Sequence, residues 1–127
     1  MKRLRQFATC AVLLAVIFGC VRYAVAREQL RDLDLHAMFQ DINHESFNGE
    51  LPDVPIEWAD LADKYGVTTY DGTFEIRVDR ATNTSRADVV GTLRHEACHV
   101  ATVEHLNGED PHGLMFQRCM MRFDHTR

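Results

Sequence analysis

The 127-residue chain is 46% hydrophobic and 26% charged, a composition typical of one globular domain, which excludes collagen-like, low-complexity and disordered proteins. The charge is unevenly distributed. Residues 1–26 contain four of the 14 basic residues and no acidic one, so residues 27–127 carry 10 basic against 19 acidic residues, a net charge of −9. An acidic body of this kind is a poor electrostatic partner for nucleic acid, and we expect it to bind none.

The first 26 residues have the three-part layout of a secretory signal peptide. Residues 1–6 are positively charged, residues 7–21 are almost entirely apolar, and residues 24–26 (Ala-Val-Ala) offer a small-x-small cleavage site. The apolar run of about 15 residues is short for a membrane span, which needs roughly 20. We therefore predict an exported protein, periplasmic or extracellular, cleaved after Ala26. Lipid attachment at Cys20 and an uncleaved N-terminal anchor remain open as alternatives, and either would tether the protein to a membrane; a cytoplasmic location is less favoured.

Two cysteines, Cys98 and Cys119, remain in residues 27–127. In an oxidising compartment they could form one disulfide, and two small buried thiols fit the sequence equally well. The chain has no CxxC pair, so a zinc ribbon is excluded.

The first half of the body predicts a helix followed by three short strands. Apolar residues recur at helical spacing from about residue 30 to residue 47, and Asn48-Gly49 marks the helix end. Residues 52–58 alternate like a strand, and their two prolines favour a sheet edge. Residues 67–70 and 73–78 are joined by Asp71-Gly72 and predict a hairpin with a two-residue loop. In that register Thr69 would face Phe74, the apolar residues of 73–78 would point inward, and Glu75, Arg77 and Asp79 would point outward.

The second half predicts two helices. Ser85 is a candidate N-cap, with Asp88 three residues later, for a helix that runs to about residue 104 or 105. After Asn107-Gly108 and Pro111, a C-terminal helix is predicted over residues 112–123. The expected fold class is therefore α+β: an N-terminal helix, a small three-stranded sheet with an Asp-Gly hairpin, and two further helices.

The first of these two helices carries an HExxH motif, His95-Glu96-Ala97-Cys98-His99. Four residues turn a helix through about 400°, so His95 and His99 project from nearly the same face, one turn apart. Two imidazoles so placed can bind one Zn²⁺, and Glu96 is placed to act as general base on an activated water.

A zinc site of this kind needs a third protein ligand, and two histidines are candidates. His105 stands six residues after His99, but Thr102 occupies the position where a chain that turns sharply back to the metal needs glycine. If the helix continues, His105 points away from the metal. His112 follows Asn107-Gly108 and Pro111, where the chain can turn and return. We therefore predict His112.

With these residues identified, the body resembles the SprT-like zinc metallopeptidases. The resemblance rests on HEACH, on the downstream Pro111-His112-Gly113, on Phe116 and Met120-Met121, and on residues 47–52 (Phe-Asn-Gly-Glu-Leu-Pro). It implies a minimal zincin-like fold over residues 27–127 and one Zn²⁺ per chain. It also implies zinc ligands at His95, His99 and His112, a catalytic carboxylate at Glu96, and a polypeptide substrate.

Two other functions stay open at this point. The first is a zinc-binding partner or assembly domain with little or no proteolysis, since the same ligands serve both; Glu96 favours catalysis, because a purely structural site needs no base. The second is an intracellular SprT-like protein that acts on DNA-associated proteins, with residues 1–26 an artefact of start-site choice. The leader and the net charge of −9 argue against that setting.

Overall fold

The computed structural model describes residues 2–103 and 110–124. The chain divides into two compact units, Met1–Leu33 and Asp34–Arg127. The first unit is a single helix, α1 (Lys2–Arg31), and most of its large apolar side chains from Val12 to Val25 are more than half exposed. Across the described ranges, no helix combines the length and the apolarity needed to cross a bilayer.

The second unit is α+β, as predicted, and begins with α2 (Leu35–Phe47). Sequence periodicity predicts one helix from about residue 30, but α1 and α2 are separate. The break lies at Asp34, which has an extended backbone and accepts a hydrogen bond from the Ala37 N–H (2.9 Å), so it is the N-cap of a new helix. At the other end, Asn48 adopts the left-handed conformation that the predicted helix end requires.

Three strands form one sheet in the order β1-β3-β2: β1 (Ile56–Ala59), β2 (Gly66–Tyr70) and β3 (Phe74–Asp79). Strand β1 lies parallel to β3 at one edge, which confirms the edge predicted from its prolines. It begins at residue 56 rather than at 52, since prolines occupy positions 52 and 55 and cannot donate to a ladder. Strand β2 pairs antiparallel with β3 and forms the other edge.

The predicted hairpin exists, but its register is off by one residue. Tyr70 pairs with Phe74 and Thr69 with Glu75, so the loop has three residues rather than two. The extra loop residue is Thr73, whose N–H and hydroxyl both donate to the Asp71 carboxylate (3.4 and 3.2 Å). These side-chain bonds take Thr73 out of the strand ladder.

Asp79, predicted to point outward, is buried at the end of β3. Its carboxylate accepts hydrogen bonds from the N–H groups of Leu61 (2.6 Å), Ala81 (2.9 Å) and Thr82 (2.7 Å), and from the Thr82 hydroxyl (2.8 Å). Burial alone would raise the pKa of Asp79, but these bonds outweigh burial and lower it. The buried charge thus organises the two loops that flank the sheet.

Helix α3 (Arg86–Thr102) follows and contacts β2, β3 and α2. Ser85 caps it as predicted, accepting a hydrogen bond from the Asp88 N–H (3.1 Å). The Asp88 carboxylate reaches back one residue further than expected, to the N–H and hydroxyl of Thr84. The face of helix α3 that packs into the core carries Val89, Leu93, Ala97, Cys98 and Val100. The predicted helix end at residue 104 or 105 lies outside the described residues.

Helix α4 (Leu114–Met120) and a 3₁₀ turn (Met121–Phe123) end the described chain, with the helix shorter than the predicted 112–123. Cys98 of α3 and Cys119 of α4 form a disulfide, with Cα atoms 5.7 Å apart. The sequence left open whether these cysteines form a disulfide or remain two buried thiols, and the structure has the disulfide.

Candidate metal centre

Helix α3 supplies the first two histidines of the site. His95 and His99 are one turn apart, and their Nε2 atoms are 3.2 Å from each other. Both side chains are half-buried. This pairing follows directly from helix geometry, as the HExxH spacing predicts.

His112 reaches the same point from the turn before α4. Its Nε2 lies 3.2 Å from His95 Nε2. The turn is fixed locally, because the His112 N–H donates to the Asp110 carboxylate (2.9 Å) and the Gly113 N–H donates to the Asp110 carbonyl (2.8 Å). The Gln117 amide also donates to the His112 carbonyl (3.2 Å). The structure therefore brings His95, His99 and His112 together.

Phe116 packs beneath all three imidazoles. Its ring centroid lies 4.8 Å from that of His95, 4.5 Å from that of His99 and 4.8 Å from that of His112. The phenylalanine is itself buried. An aromatic ring in this position restricts the rotation of the histidines and keeps water from the inner side of the cluster.

The three histidines are spaced like the ligands of a single metal ion. One ligand atom from each lies within 4.8 Å of the others, and within residues 2–103 and 110–124 this is the one such group of His, Cys, Asp and Glu side chains. Bond lengths of about 2.0–2.1 Å at tetrahedral angles separate ligand nitrogens by roughly 3.3 Å, close to the two 3.2 Å separations observed. Burial lowers the pKa of His95, with a smaller effect from His112, and lowers the pKa of His99 to about 4. Both imidazoles are therefore neutral at pH 7, the form that binds metal.

Glu96 lies beside His95 on α3 but faces the sheet. Its side chain is 3% exposed, and one carboxylate oxygen accepts a hydrogen bond from the Thr68 hydroxyl of β2 (2.6 Å). Burial raises the pKa of Glu96, while the hydrogen bonds from Thr68 and the charge of Lys64 act in the opposite direction. A carboxylate with a raised pKa is a better proton acceptor near neutral pH than an exposed one.

The site opens into a cleft of about 1130 Å³ between β2, α3 and the turn that carries His112. His95, Glu96, His99 and His112 all line it. Strand β2 lines the cleft beside α3, and within the described residues it has a sheet neighbour on one side only. The candidate metal centre is thus accessible to a large molecule.

A sequence model of the SprT-like family matches residues 35–127, which include α2, the sheet, α3, α4 and every residue of the site. The chain belongs to the SprT-like family. A comparison with curated proteins gives no match.

Two further histidines of this SprT-like unit, His36 and His105, are not among the three described residues that the structure brings together. His36 lies on the exposed side of α2 and pairs with the Asp53 carboxylate at the surface (2.6 Å). His105, the rejected third ligand, lies outside the described residues. The assignment of His112 as a ligand and of Glu96 as the base stays a prediction that the geometry supports.

Two residues of β2 that lie against Glu96 were not predicted from the sequence. They are Gly66 and Thr68. Neither has a motif of its own: Thr68 lies in a strand predicted from β-rich residues and an Asp-Gly turn, and Gly66 lies one residue before the predicted start of that strand. A glycine at the start of a β-rich run is the one signal that could have indicated close approach of another element.

Proposed function

We propose that residues 27–127 form a zinc-dependent metalloendopeptidase that hydrolyses polypeptides. His95, His99 and His112 would hold one Zn²⁺, and Glu96 would act as general base. The observation that carries the proposal is the convergence of three imidazoles in an open cleft, next to a buried carboxylate on the helix that supplies two of them. Family membership supports the same chemistry.

Each residue of the site would have its own role in peptide hydrolysis. When bound, Zn²⁺ supplies Lewis-acid chemistry, which polarises a carbonyl and acidifies a water molecule. Glu96 accepts the proton of the attacking water on its carboxylate and passes it to the leaving amine nitrogen. Strand β2, as an edge of the sheet, offers unpaired backbone groups to an extended polypeptide in the cleft. Phe116 keeps the imidazoles in place throughout.

The test is metal analysis combined with cleavage of an unfolded protein by the purified chain. We expect one zinc per chain, and Glu96→Gln should keep the zinc while it lowers hydrolysis by at least ~10²-fold. Glu57→Gln, at an exposed position on β1, is the matched control and should cleave like the wild type. Equal rates for the wild type and Glu96→Gln would refute the assigned base. Stoichiometric zinc without any cleavage would instead support a zinc-binding partner or assembly domain.

We further propose that residues 1–26 direct export, with cleavage after Ala26. The disulfide between Cys98 and Cys119 supports this location, because such bonds persist in oxidising compartments. A fused reporter should cross the inner membrane of a bacterial host, and the mature protein should begin at Arg27. Acyl labelling at Cys20 would support the lipid-anchored alternative, and a full-length cytosolic product would contradict both.

The acidic body also leads us to propose that duplex DNA is no partner of residues 27–127. A net charge of −9 opposes the approach of a polyanion. Tight binding that weakens steeply with added salt would restore the DNA-linked alternative.

A further inference from the structure

Strand β2 lies unusually close to α3 at the position of Glu96. A Cβ atom at Gly66 would lie 2.7 Å from the Thr92 methyl group and 2.9 Å from Oε1 of Glu96. Both separations are shorter than real carbon contacts allow. The absence of a side chain at position 66 therefore lets the carboxylate lie directly against the strand backbone.

Thr68 lies two residues after Gly66, on the same face of β2, and contacts the other carboxylate oxygen of Glu96. Its Oγ1 donates to Oε2 of Glu96 over 2.6 Å. Because the Glu96 side chain is almost fully buried, little water competes for this oxygen. A hydrogen bond to an ionised group in such surroundings is stronger than one between neutral groups.

The start of β2 is itself fixed to α3 by a buried asparagine. Asn83 donates to the carbonyl oxygens of Tyr65 (2.9 Å) and Asp79 (2.8 Å), and its own side-chain oxygen accepts from the Thr92 hydroxyl (2.7 Å). Residues of the loop, the strand and the helix are thus joined through one side chain. The distance between Thr68 and Glu96 is held by this frame and does not depend on their own contact alone.

We propose that Thr68 is the positioning residue for Glu96. Its hydroxyl holds Oε2 and fixes the plane of the carboxylate, so Oε1 is the oxygen left to accept the proton when the water O–H bond breaks. This role rests on the proposed peptidase function, because it concerns the orientation of the assigned base. Thr68 contacts no reacting atom and acts through Glu96 alone.

The first test is a set of three variants of the zinc-loaded protein, with cleavage of an unfolded protein as the readout. Thr68→Val keeps the shape of the side chain but removes the hydroxyl. We expect kcat to fall roughly 10- to 100-fold, as expected for loss of a hydrogen bond to a charged group, with zinc content and KM nearly unchanged. Thr68→Ser restores the hydroxyl and should restore most of the rate. Thr73→Val removes an exposed hydroxyl from the hairpin loop, outside the cleft, and should cleave like the wild type.

The second test does not depend on activity. A double-mutant cycle of Thr68→Val and Glu96→Ala, read out by urea unfolding of the zinc-loaded protein, should show a coupling of roughly tenfold in the unfolding equilibrium constant. The cycle with Thr73→Val in place of Thr68→Val should show none, because the Thr73 hydroxyl bonds to Asp71 and not to Glu96.

Three results would overturn the role of Thr68: additive effects in the cycle, wild-type cleavage by Thr68→Val, or failure of Thr68→Ser to recover activity. Failure of the proposed function is distinguishable from these, because a wild-type protein that binds zinc and cleaves nothing refutes the peptidase, whatever the cycle shows.

Discussion

Helix α3 is joined to strand β2 on one side and to helix α4 on the other, and the two junctions are built differently. On the β2 side, close backbone approach at Gly66 and a hydrogen bond from the Thr68 hydroxyl hold the carboxylate of Glu96, while Asn83 joins the start of the strand to Thr92 of the helix. On the α4 side, the Cys98–Cys119 disulfide and the Phe116 ring hold the histidines. The proposed base thus depends on polar contacts with the sheet, and the proposed third ligand depends on the hydrogen bonds of its own turn, on a covalent link and on apolar packing.

Under the proposed function, this difference separates the contacts that hold the general base from those that hold the metal ligands. A defect on the β2 side should disturb Glu96 and leave the three histidines in place. A defect on the α4 side should disturb the metal first, because His112 is held by its own turn and by the helix that follows. Variants on the two sides can therefore be told apart by measuring zinc content and hydrolysis separately.

The largest effect is expected on the α4 side, from loss of the third ligand. His112→Ala should lower zinc affinity by more than ~100-fold, since even partners that merely orient ligands contribute 10- to 100-fold. It should also lower the melting temperature, because metal binding stabilises the folded state. Chelator competition and thermal unfolding measure the two effects.

His105→Ala is the matched control for that variant. It should retain near-stoichiometric zinc, because His112 completes the cluster. If His105→Ala empties the site and His112→Ala does not, the ligand assignment is wrong and the turn around Asp110 does not serve the metal.

The next effect concerns the disulfide on the same side. Replacement of both Cys98 and Cys119 by Ser should lower the free energy of unfolding by about 3 kcal/mol, the scale expected for a bridge that spans 21 residues. Zinc affinity should fall with it, because the closed segment contains His99 and His112. Urea unfolding and chelator competition are the measurements. A phosphine reductant, which unlike a dithiol does not chelate zinc strongly, should destabilise the wild type and leave the double variant unchanged. A fully reduced wild type of undiminished stability would contradict the prediction.

The smallest effect is expected on the β2 side. Gly66→Ala should lower the free energy of unfolding by ~1–3 kcal/mol, because its methyl group would overlap Thr92 and Glu96. Hydrolysis should fall further than this loss of stability explains, while zinc stays bound.

Gly91→Ala is the control of opposite sign. Gly91 is an exposed residue of α3, and a methyl group added there would meet no neighbouring side chain or strand within 4 Å, so alanine should stabilise the helix by about 0.5–1 kcal/mol. Urea unfolding of the zinc-loaded proteins compares the two variants. Equal shifts of the same sign would show that the close approach at position 66 has no energetic consequence.

Local rules accounted for much of the fold. The Ser85 cap, the left-handed end at Asn48 and the edge position of β1 were all predictable, since each depends on a few neighbouring residues. The hairpin register was not, because the Thr73 side chain bonds to Asp71 and lengthens the loop. Asp79 was placed outward by strand alternation, yet four donors from neighbouring loops stabilise its buried charge.

The candidate site, like the fold, was predictable from the sequence only in part. The sequence alone determined the pairing of His95 and His99, since a spacing of four residues on a helix fixes their side chains on one face. It also pointed to His112 through the turn residues before it. Only the tertiary structure decided that His112 reaches the pair, that Phe116 supports all three rings, that Cys98 joins Cys119, and that Gly66 and Thr68 face Glu96. These contacts join residues far apart in the chain, and their distances depend on how the sheet and helices pack, which no local pattern of residues encodes.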